Sequence, residues 1–196
     1  MPFTAKSGKF NASINAVEFG TGDKAVKIGG ENVFPLYSFD AAIENAPKVG
    51  IEITDFGMEH EPECIKKYYE GCATLADMAR KAACMEGVDF LSFRMEGGDP
   101  NGVNKSTEEL IGELKEIADA VDLPLVVCGC KNVEKDAELF SKAAEALNGK
   151  NAVILSAKEE NYKTVGAAAG LAYKQVVGAE SAVDINLAKQ LNVLIS

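Results

Sequence analysis

Side chains that can bind ligands or move protons gather in four short clusters, and each cluster directly follows an apolar run. The clusters are residues 55–60 (DFGMEH), 94–99 (RMEGGD), 128–132 (CGCKN) and 156–161 (SAKEEN). Asp184 follows a fifth, shorter apolar run. Carboxylates, thiols, an imidazole and amines suit acid–base, metal or carbonyl chemistry, depending on which of them meet in the fold.

The first two clusters carry carboxylates and paired glycines. Asp55 and Glu96 could form a general acid–base pair; alternatively they cap loops, accept backbone N–H groups or pair with Arg94. Gly97 and Gly98 could let the backbone approach a phosphate or a planar ligand, or they could form an ordinary turn. These residues predict a ligand-binding site without an evident catalytic set.

The thiols, the imidazole and the amine have similar alternatives. Cys128 and Cys130 are spaced too closely for a usual zinc knuckle, so they are either small residues that fill a strand end or metal ligands. His60 could be an axial metal ligand or a solvated side chain in an acidic loop. Lys158 could form a Schiff base with a carbonyl substrate, or it could neutralise charge beside the next helix.

Strand-like and helix-like patterns alternate from residue 49 onward. Apolar runs predict strands at 49–54, 88–93, 123–128, 152–156 and 182–183. Apolar residues three and four apart predict helices over 62–86, after a Ser106/Glu109 capping box, after an Asn132 cap, over 162–177 with Gly178 as its end, and from Ile185. Strands that alternate with helices in this way indicate βαβ units and a parallel sheet.

Two architectures fit this alternation, an open doubly wound sheet and a closed TIM (β/α)8 barrel. No Gly-x-Gly-x-x-Gly follows the first strand, and polar clusters follow every strand, which favours the barrel. About five of the eight βα units of a barrel fit into residues 49–196. The amphipathic segment 187–196 carries no stop signal, so we expect a partial barrel that is truncated in its fifth helix.

Residues 1–48 follow a different pattern. Two alternating runs, 17–19 and 25–28, flank a Gly/Asp turn and predict a β-hairpin, whereas the Pro-containing run 33–39 predicts a loop or an edge segment. We therefore expect an N-terminal β-hairpin extension that caps the main domain.

Composition excludes several classes of partner. The net charge of −10, from 30 acidic and 20 basic residues, argues against nucleic acid and anionic membranes. No apolar run approaches the roughly 20 residues of a membrane helix, and the N-terminus lacks a signal core. Five cysteines, an odd number, are typical of a reduced, cytoplasmic protein.

Four strings of the chain match a known family. They are EFGTGDKAV (18–26), GGENVFPLYSFD (29–40), LVVCGC (125–130) and DINLAKQLN (184–192). Together they resemble the small subunit of the corrinoid iron–sulfur protein, whose archaeal counterpart is the delta subunit of the acetyl-CoA decarbonylase/synthase complex. The resemblance extends over essentially the whole chain.

The resemblance implies a barrel that pairs with a large subunit, with a cobamide at the interface and the iron–sulfur cluster on the large subunit. The pair would carry a methyl group from a methyltetrahydrofolate (or related pterin) methyltransferase to acetyl-CoA synthase. The barrel mouth would then be a lid over the corrin, and strand-end placement selects Phe56, Gly97, Gly98, Gly129, Ser156 and Asp184 as contact positions. A pterin-dependent methyltransferase barrel and a barrel lyase remain alternatives to this non-catalytic role.

Overall fold

The computed structural model describes residues 11–32 and 43–196. These residues contain seven strands: β1 (Val17–Phe19), β2 (Val26–Ile28), β3 (Gly50–Thr54), β4 (Phe90–Arg94), β5 (Leu125–Cys128), β6 (Val153–Ala157) and β7 (Val176–Ala179). Within the same described ranges there are six α-helices: α1 (Glu63–Tyr68), α2 (Leu75–Ala83), α3 (Thr107–Ala120), α4 (Val133–Ala146), α5 (Tyr162–Val165) and α6 (Ile185–Ile195). The segment Gly166–Ala172 continues α5 as a π-helix, and Gly22–Lys24 and Glu96–Gly98 are 3₁₀ turns.

Strands β3 to β7 form one parallel sheet in sequential order. Each strand therefore pairs with the next one along the chain, as Ile53 does with Phe93 and Phe93 with Val127. Doubly wound sheets instead have a switch point at which the strand order reverses. The sequential order is compatible with part of a barrel and places the carboxyl ends of all five strands along one edge.

The helices cover one face of this sheet. Ile53, Phe93 and Val127 point to that face and join the large apolar core with the buried residues of α2, α3 and α4. Alternation along the strands sends Ser92, Arg94 and Cys128 to the opposite face, which we call the inner face. The structure thus buries one side of the sheet under helices and leaves the other side to different partners.

β1 and β2 pair antiparallel and lie against the amino-terminal end of the inner face. Their buried side chains, Phe19 and Val26, pack with Val126 and Val153. The Gly20 N–H donates to Asn151 O at 2.7 Å, and Asn151 Nδ2 donates back to Glu18 O at 3.1 Å. The pair therefore lies at the end of the sheet away from the polar clusters. The predicted segment 33–39 lies outside the described residues.

The prediction of one continuous helix over residues 62–86 is wrong. Two helices, α1 and α2, occupy this range, because Gly71 adopts φ +87° and Thr74 begins a new helix. Thr74 Oγ1 accepts from Asp77 N at 3.1 Å, and the Asp77 carboxylate accepts from Thr74 N at 3.2 Å. This capping box starts α2 independently of α1.

The predicted fifth strand at 182–183 is also wrong. The fifth parallel strand is β7, in which Gly178 pairs with Leu155 instead of ending a helix. Ala182 is exposed and Val183 is 98% exposed, just before α6 begins. The helix was predicted to run to residue 177 because alanine-rich helical spacing continues up to that point. In the structure the β-branched Val176 and Val177 instead belong to a strand beside β6.

Candidate functional site

A polar cavity lies where β4 to β7 end. Its volume is about 320 Å³, and its lining comes from four successive strand ends and from the first turn of α4. The residues that line it are Arg94, Cys128, Gly129, Lys131, Asp136, Leu155, Ser156, Lys158 and Glu180. Two of the six predicted contact positions, Gly129 and Ser156, therefore lie in the same cavity.

Asp136 forms the buried wall of this cavity. It lies in the first turn of α4, is only 4% exposed, and its Oδ1 accepts from Cys130 N at 2.7 Å. Position 129 requires glycine, because a Cβ there would collide with the Asp136 carboxylate. Burial raises the pKa of Asp136, and hydrogen bonds from Cys130 oppose that rise. Asn132 caps the same helix as predicted, accepting from Lys135 N at 3.0 Å.

Three cationic side chains, Arg94, Lys131 and Lys158, also line the cavity. Arg94 is held by a bidentate pair with Glu52, with Nε–Oε1 and Nη2–Oε2 distances of 2.9 and 2.8 Å. Among the residues that the structure describes, the ammonium groups of Lys131 and Lys158 take part in no ion pair. The two lysines are thus available to a ligand, whereas Arg94 is already committed to the sheet.

Asp55 does not pair with Arg94; its partners are Gly97 and Lys105. The buried Asp55 carboxylate accepts from Gly97 N at 3.0 Å, and its Oδ2 lies 3.1 Å from Lys105 Nζ. Lys105 Nζ also donates to Asp55 O at 2.9 Å and to Glu113 Oε1 at 3.0 Å. Two carboxylates therefore share one lysine, and the cluster ties the loop after β3 to α3. Glu96 is exposed, so the structure does not bring Asp55 and Glu96 together as an acid–base pair.

The other predicted contact positions lie around this cluster or beyond it. Phe56 is half-buried, with Lys105 Nζ 5.7 Å from its ring centroid and the His60 ring at 5.0 Å. Gly97 and Gly98 are buried in the 3₁₀ turn after β4, and a Cβ on Gly98 would come within 2.9 Å of Leu110. Asp184 is exposed and caps α6 by accepting from Asn186 N at 2.7 Å.

The two cysteines of the third cluster belong to different apolar clusters. Cys128 packs on the inner face, whereas Cys130 packs on the helix side. Burial raises the pKa of Cys128, and it raises that of Cys130 to about 11, so both thiols stay protonated near neutral pH. This environment suits small residues that fill a strand end.

Three residues of the site, Lys105, Glu113 and Asp136, were not predicted from the sequence. Lys105 lies 50 positions from Asp55, and Glu113 joins the cluster only through Lys105, so no local spacing links either residue to the aspartate. Asp136 carried a usable signal, because the helix dipole favours an acid in the first turn and this turn closely follows a strand end. Within residues 11–32 and 43–196, no group of three or more metal-ligating side chains is assembled, and no helix is long and apolar enough to cross a membrane.

The site as a whole presents groups that can bind a ligand. It presents a buried carboxylate, two ammonium groups and a serine around a small cavity, and the aromatic ring of Phe56 follows the neighbouring strand β3. None of these side chains forms a nucleophile–base hydrogen bond of the kind that covalent catalysis needs.

The chain is similar to a known family of proteins. A family model described as CO dehydrogenase/acetyl-CoA synthase delta subunit matches residues 16–196. The acetyl-CoA decarbonylase/synthase complex subunit delta of Methanothermobacter thermautotrophicus is 31% identical over 186 residues, which are 93% of this chain and 47% of that protein. That of Methanocaldococcus jannaschii is 31% identical over 192 residues, with 94% and 47% covered.

A third relative is the subunit delta of Archaeoglobus fulgidus, which is 30% identical over 177 residues, 88% of this chain and 38% of that protein. The chain thus spans less than half the length of the curated relatives it matches. The match extends through the described sheet and both sides of the cavity. The chain therefore belongs to the family of CO dehydrogenase/acetyl-CoA synthase delta subunits.

Proposed function

We propose that this chain is part of the small, or delta, subunit of a corrinoid iron–sulfur protein and helps to carry a methyl group on a cobamide. In this role it receives the corrinoid at the carboxyl edge of its sheet and pairs with a large subunit that holds the cobamide and the iron–sulfur cluster. The methyl donor is a methyltetrahydrofolate or related pterin methyltransferase, the acceptor is acetyl-CoA synthase, and the setting is the cytoplasm. Family membership and the carboxyl-edge cavity support this proposal.

The proposed architecture is a (β/α)8 barrel of which β3 to β7 and their helices are the front part. The observation that carries it is the sequential order of the five parallel strands. A barrel keeps its helices outside, and here the helices cover one face only. In this proposal β1 and β2 are an extension that caps the amino-terminal end of the barrel, which leaves the carboxyl edge open to a ligand.

The residues at this edge fit a corrinoid as a lid. A corrin ring is too wide to enter a cavity of 320 Å³, so the edge would cover the ring and the cavity would take only a peripheral group. A Cβ on Gly129 would collide with Asp136, so the glycine lets the Asp136 carboxylate lie against the end of β5. Small residues at Gly129 and Ser156 let a flat ring approach closely, and Phe56 offers an aromatic surface.

Each predicted contact position has a separate task in this proposal. The bound corrinoid supplies the cobalt that accepts and releases the methyl group. Phe56, Gly129 and Ser156 face the ring and exclude water from it. Gly97 and Gly98 hold the loop after β4, with Gly97 donating to the carboxylate that fixes the Phe56 loop. Asp184 holds the start of α6 at the rim.

Co-expression with the large corrinoid subunit of the same complex tests this function. We expect the two chains to elute together and to show the visible absorption bands of a corrinoid. Replacement of Phe56 by Ala should weaken corrinoid retention, whereas replacement of Tyr162, a half-buried aromatic residue outside the cavity, by Ala should not.

A chain that never associates with the corrinoid-bearing subunit would contradict the proposal. Methyl transfer from a methylated pterin to free cobamide by this chain alone would instead support the alternative of a methyltransferase barrel. The absence of a nucleophile–base pair among the cavity residues makes the carrier role the expected result.

A further inference from the structure

The charges that line the carboxyl-edge cavity nearly balance. Arg94 is paired with Glu52, which leaves the ammonium groups of Lys131 and Lys158 against the carboxylates of Asp136 and Glu180. An anion would meet the two carboxylates, and a cation would meet the two lysines. The cavity therefore favours a neutral group over an ion.

The same cavity offers hydrogen-bond donors and an acceptor close together. Asp136 is a buried acceptor whose position is fixed by its bond with Cys130 N. The side chains of Lys158 and Ser156 are donors that enter from the end of β6. A small neutral group that satisfies both kinds of partner needs an N–H and a carbonyl oxygen, and a primary amide has both.

We propose that this cavity binds a primary amide arm of the corrinoid, with Asp136 accepting from the amide N–H and Lys158 donating to the amide oxygen. Corrin rings carry acetamide and propionamide arms at their rim, and such an arm is small enough for 320 Å³. The inference rests on the proposed function and adds to it the subsite that fixes the rotation of the ring over the sheet edge. An arm held at the ends of β5 and β6 leaves the ring one orientation relative to Phe56.

The test uses the co-purified complex after removal of its corrinoid. It is titrated with dicyanocobinamide, which retains amide arms, and with dicyanocobyrinic acid, in which those arms are carboxylic acids. Binding is followed by visible absorption. We expect the unaltered complex to prefer the amide form, because a carboxylate arm would be repelled by Asp136.

Asp136→Asn is the informative variant. It keeps the shape and the bond with Cys130 N but presents an NH₂ group in place of a carboxylate oxygen. We expect its affinity for dicyanocobinamide to fall by roughly tenfold or more, as for a lost hydrogen bond to a charged group, with an unchanged far-ultraviolet circular dichroism spectrum. Glu134→Gln removes the same charge from the exposed side of the same helix turn and should bind like the unaltered complex.

Lys158→Met tests the opposite wall of the cavity, and the exposed Lys163→Met is its control. A loss of affinity for the amide form in Lys158→Met alone supports the inference even if Asp136→Asn fails to fold. Equal binding of both corrinoids by all variants overturns the amide subsite and leaves the proposed function standing. A complex that binds neither corrinoid overturns both.

Discussion

At the scale of single residues, the cluster around Lys105 balances two carboxylates against one ammonium group. Glu113 Oε2 is buried and has no hydrogen-bond partner among the described residues. Its other oxygen accepts a hydrogen bond from Lys105 Nζ at 3.0 Å, and the same ammonium group also forms an ion pair with Asp55. Burial consequently raises the pKa of Glu113 although Lys105 lowers it. The proton on Glu113 is therefore held more firmly in the folded state than in the unfolded state.

This difference predicts a pH dependence of stability. As the pH rises from 4.5, the ordinary pKa, through the higher folded value, the folded state loses a proton that the unfolded state has already released. The contribution of Glu113 to the free energy of unfolding therefore falls over this interval. Glu113→Gln should gain stability relative to the unaltered protein as the pH rises, as measured by urea unfolding at several pH values.

Glu116→Gln, on the exposed face of the same helix, is the matched control for removal of a carboxylate from α3. A Glu113→Gln difference that stays flat, or that shrinks as the pH rises, would contradict the buried-carboxyl explanation.

The positions of residues in this site were easier to predict from the sequence than the contacts between their side chains. Gly129 and Ser156, chosen by their place at strand ends, line one cavity, because parallel strands end at a common edge. The partner of Asp55 was missed, since Lys105 arrives from a loop 50 residues later and its long side chain can reach in many directions. Contacts of this kind depend on three-dimensional packing that no local pattern encodes.

At the scale of elements, α2 illustrates how a side chain starts a helix after a break. Thr74→Ala removes the oxygen that accepts from Asp77 N at 3.1 Å. We expect a loss of about 0.5–2 kcal/mol in the free energy of unfolding, measured by chemical denaturation. Thr74→Ser keeps the acceptor and should lose much less. Equal losses in the two variants would show that the methyl group of the threonine matters rather than the cap.

Element prediction succeeded where the signals were strong and failed where two signals competed. Strand β5 and the Asn132 cap of α4 were found because an apolar run and a capping residue agree there. The range 62–86 failed because helical spacing persisted across Gly71, whose positive φ ends the first helix. The alanine-rich segment before Val176 failed because its helical propensity hid the return to a strand.

At the scale of the whole molecule, β1 and β2 join the amino-terminal end of the sheet to a second apolar cluster. Phe19 is 3% exposed and lies edge-on to Phe90 at 5.8 Å between ring centroids. Phe19→Ala should reduce the free energy of unfolding by about 3–5 kcal/mol if this cluster unfolds with the sheet. Val17→Ala, at the start of the same strand and 38% exposed, should have a small effect.

A loss of under about 1 kcal/mol for Phe19→Ala, well below the range for buried phenylalanine, would mean that β1 and β2 detach before the sheet unfolds. Hydrogen exchange of the Gly20 amide, which donates to Asn151 O, would then report the local opening directly.

The ion pair between Arg94 and Glu52 has a consequence for everything that approaches the inner face. Ser92 lies 3.5 Å from both Glu52 Oε2 and Cys128 Sγ, so a polar seam runs from Glu52 on β3 across β4 to the edge of the apolar cluster that contains Cys128. An apolar surface that covered this seam would remove water from its charged groups, and this desolvation has a high cost in free energy. Any polypeptide that closes over this side must therefore bring matching polar groups or leave a hydrated channel along the seam.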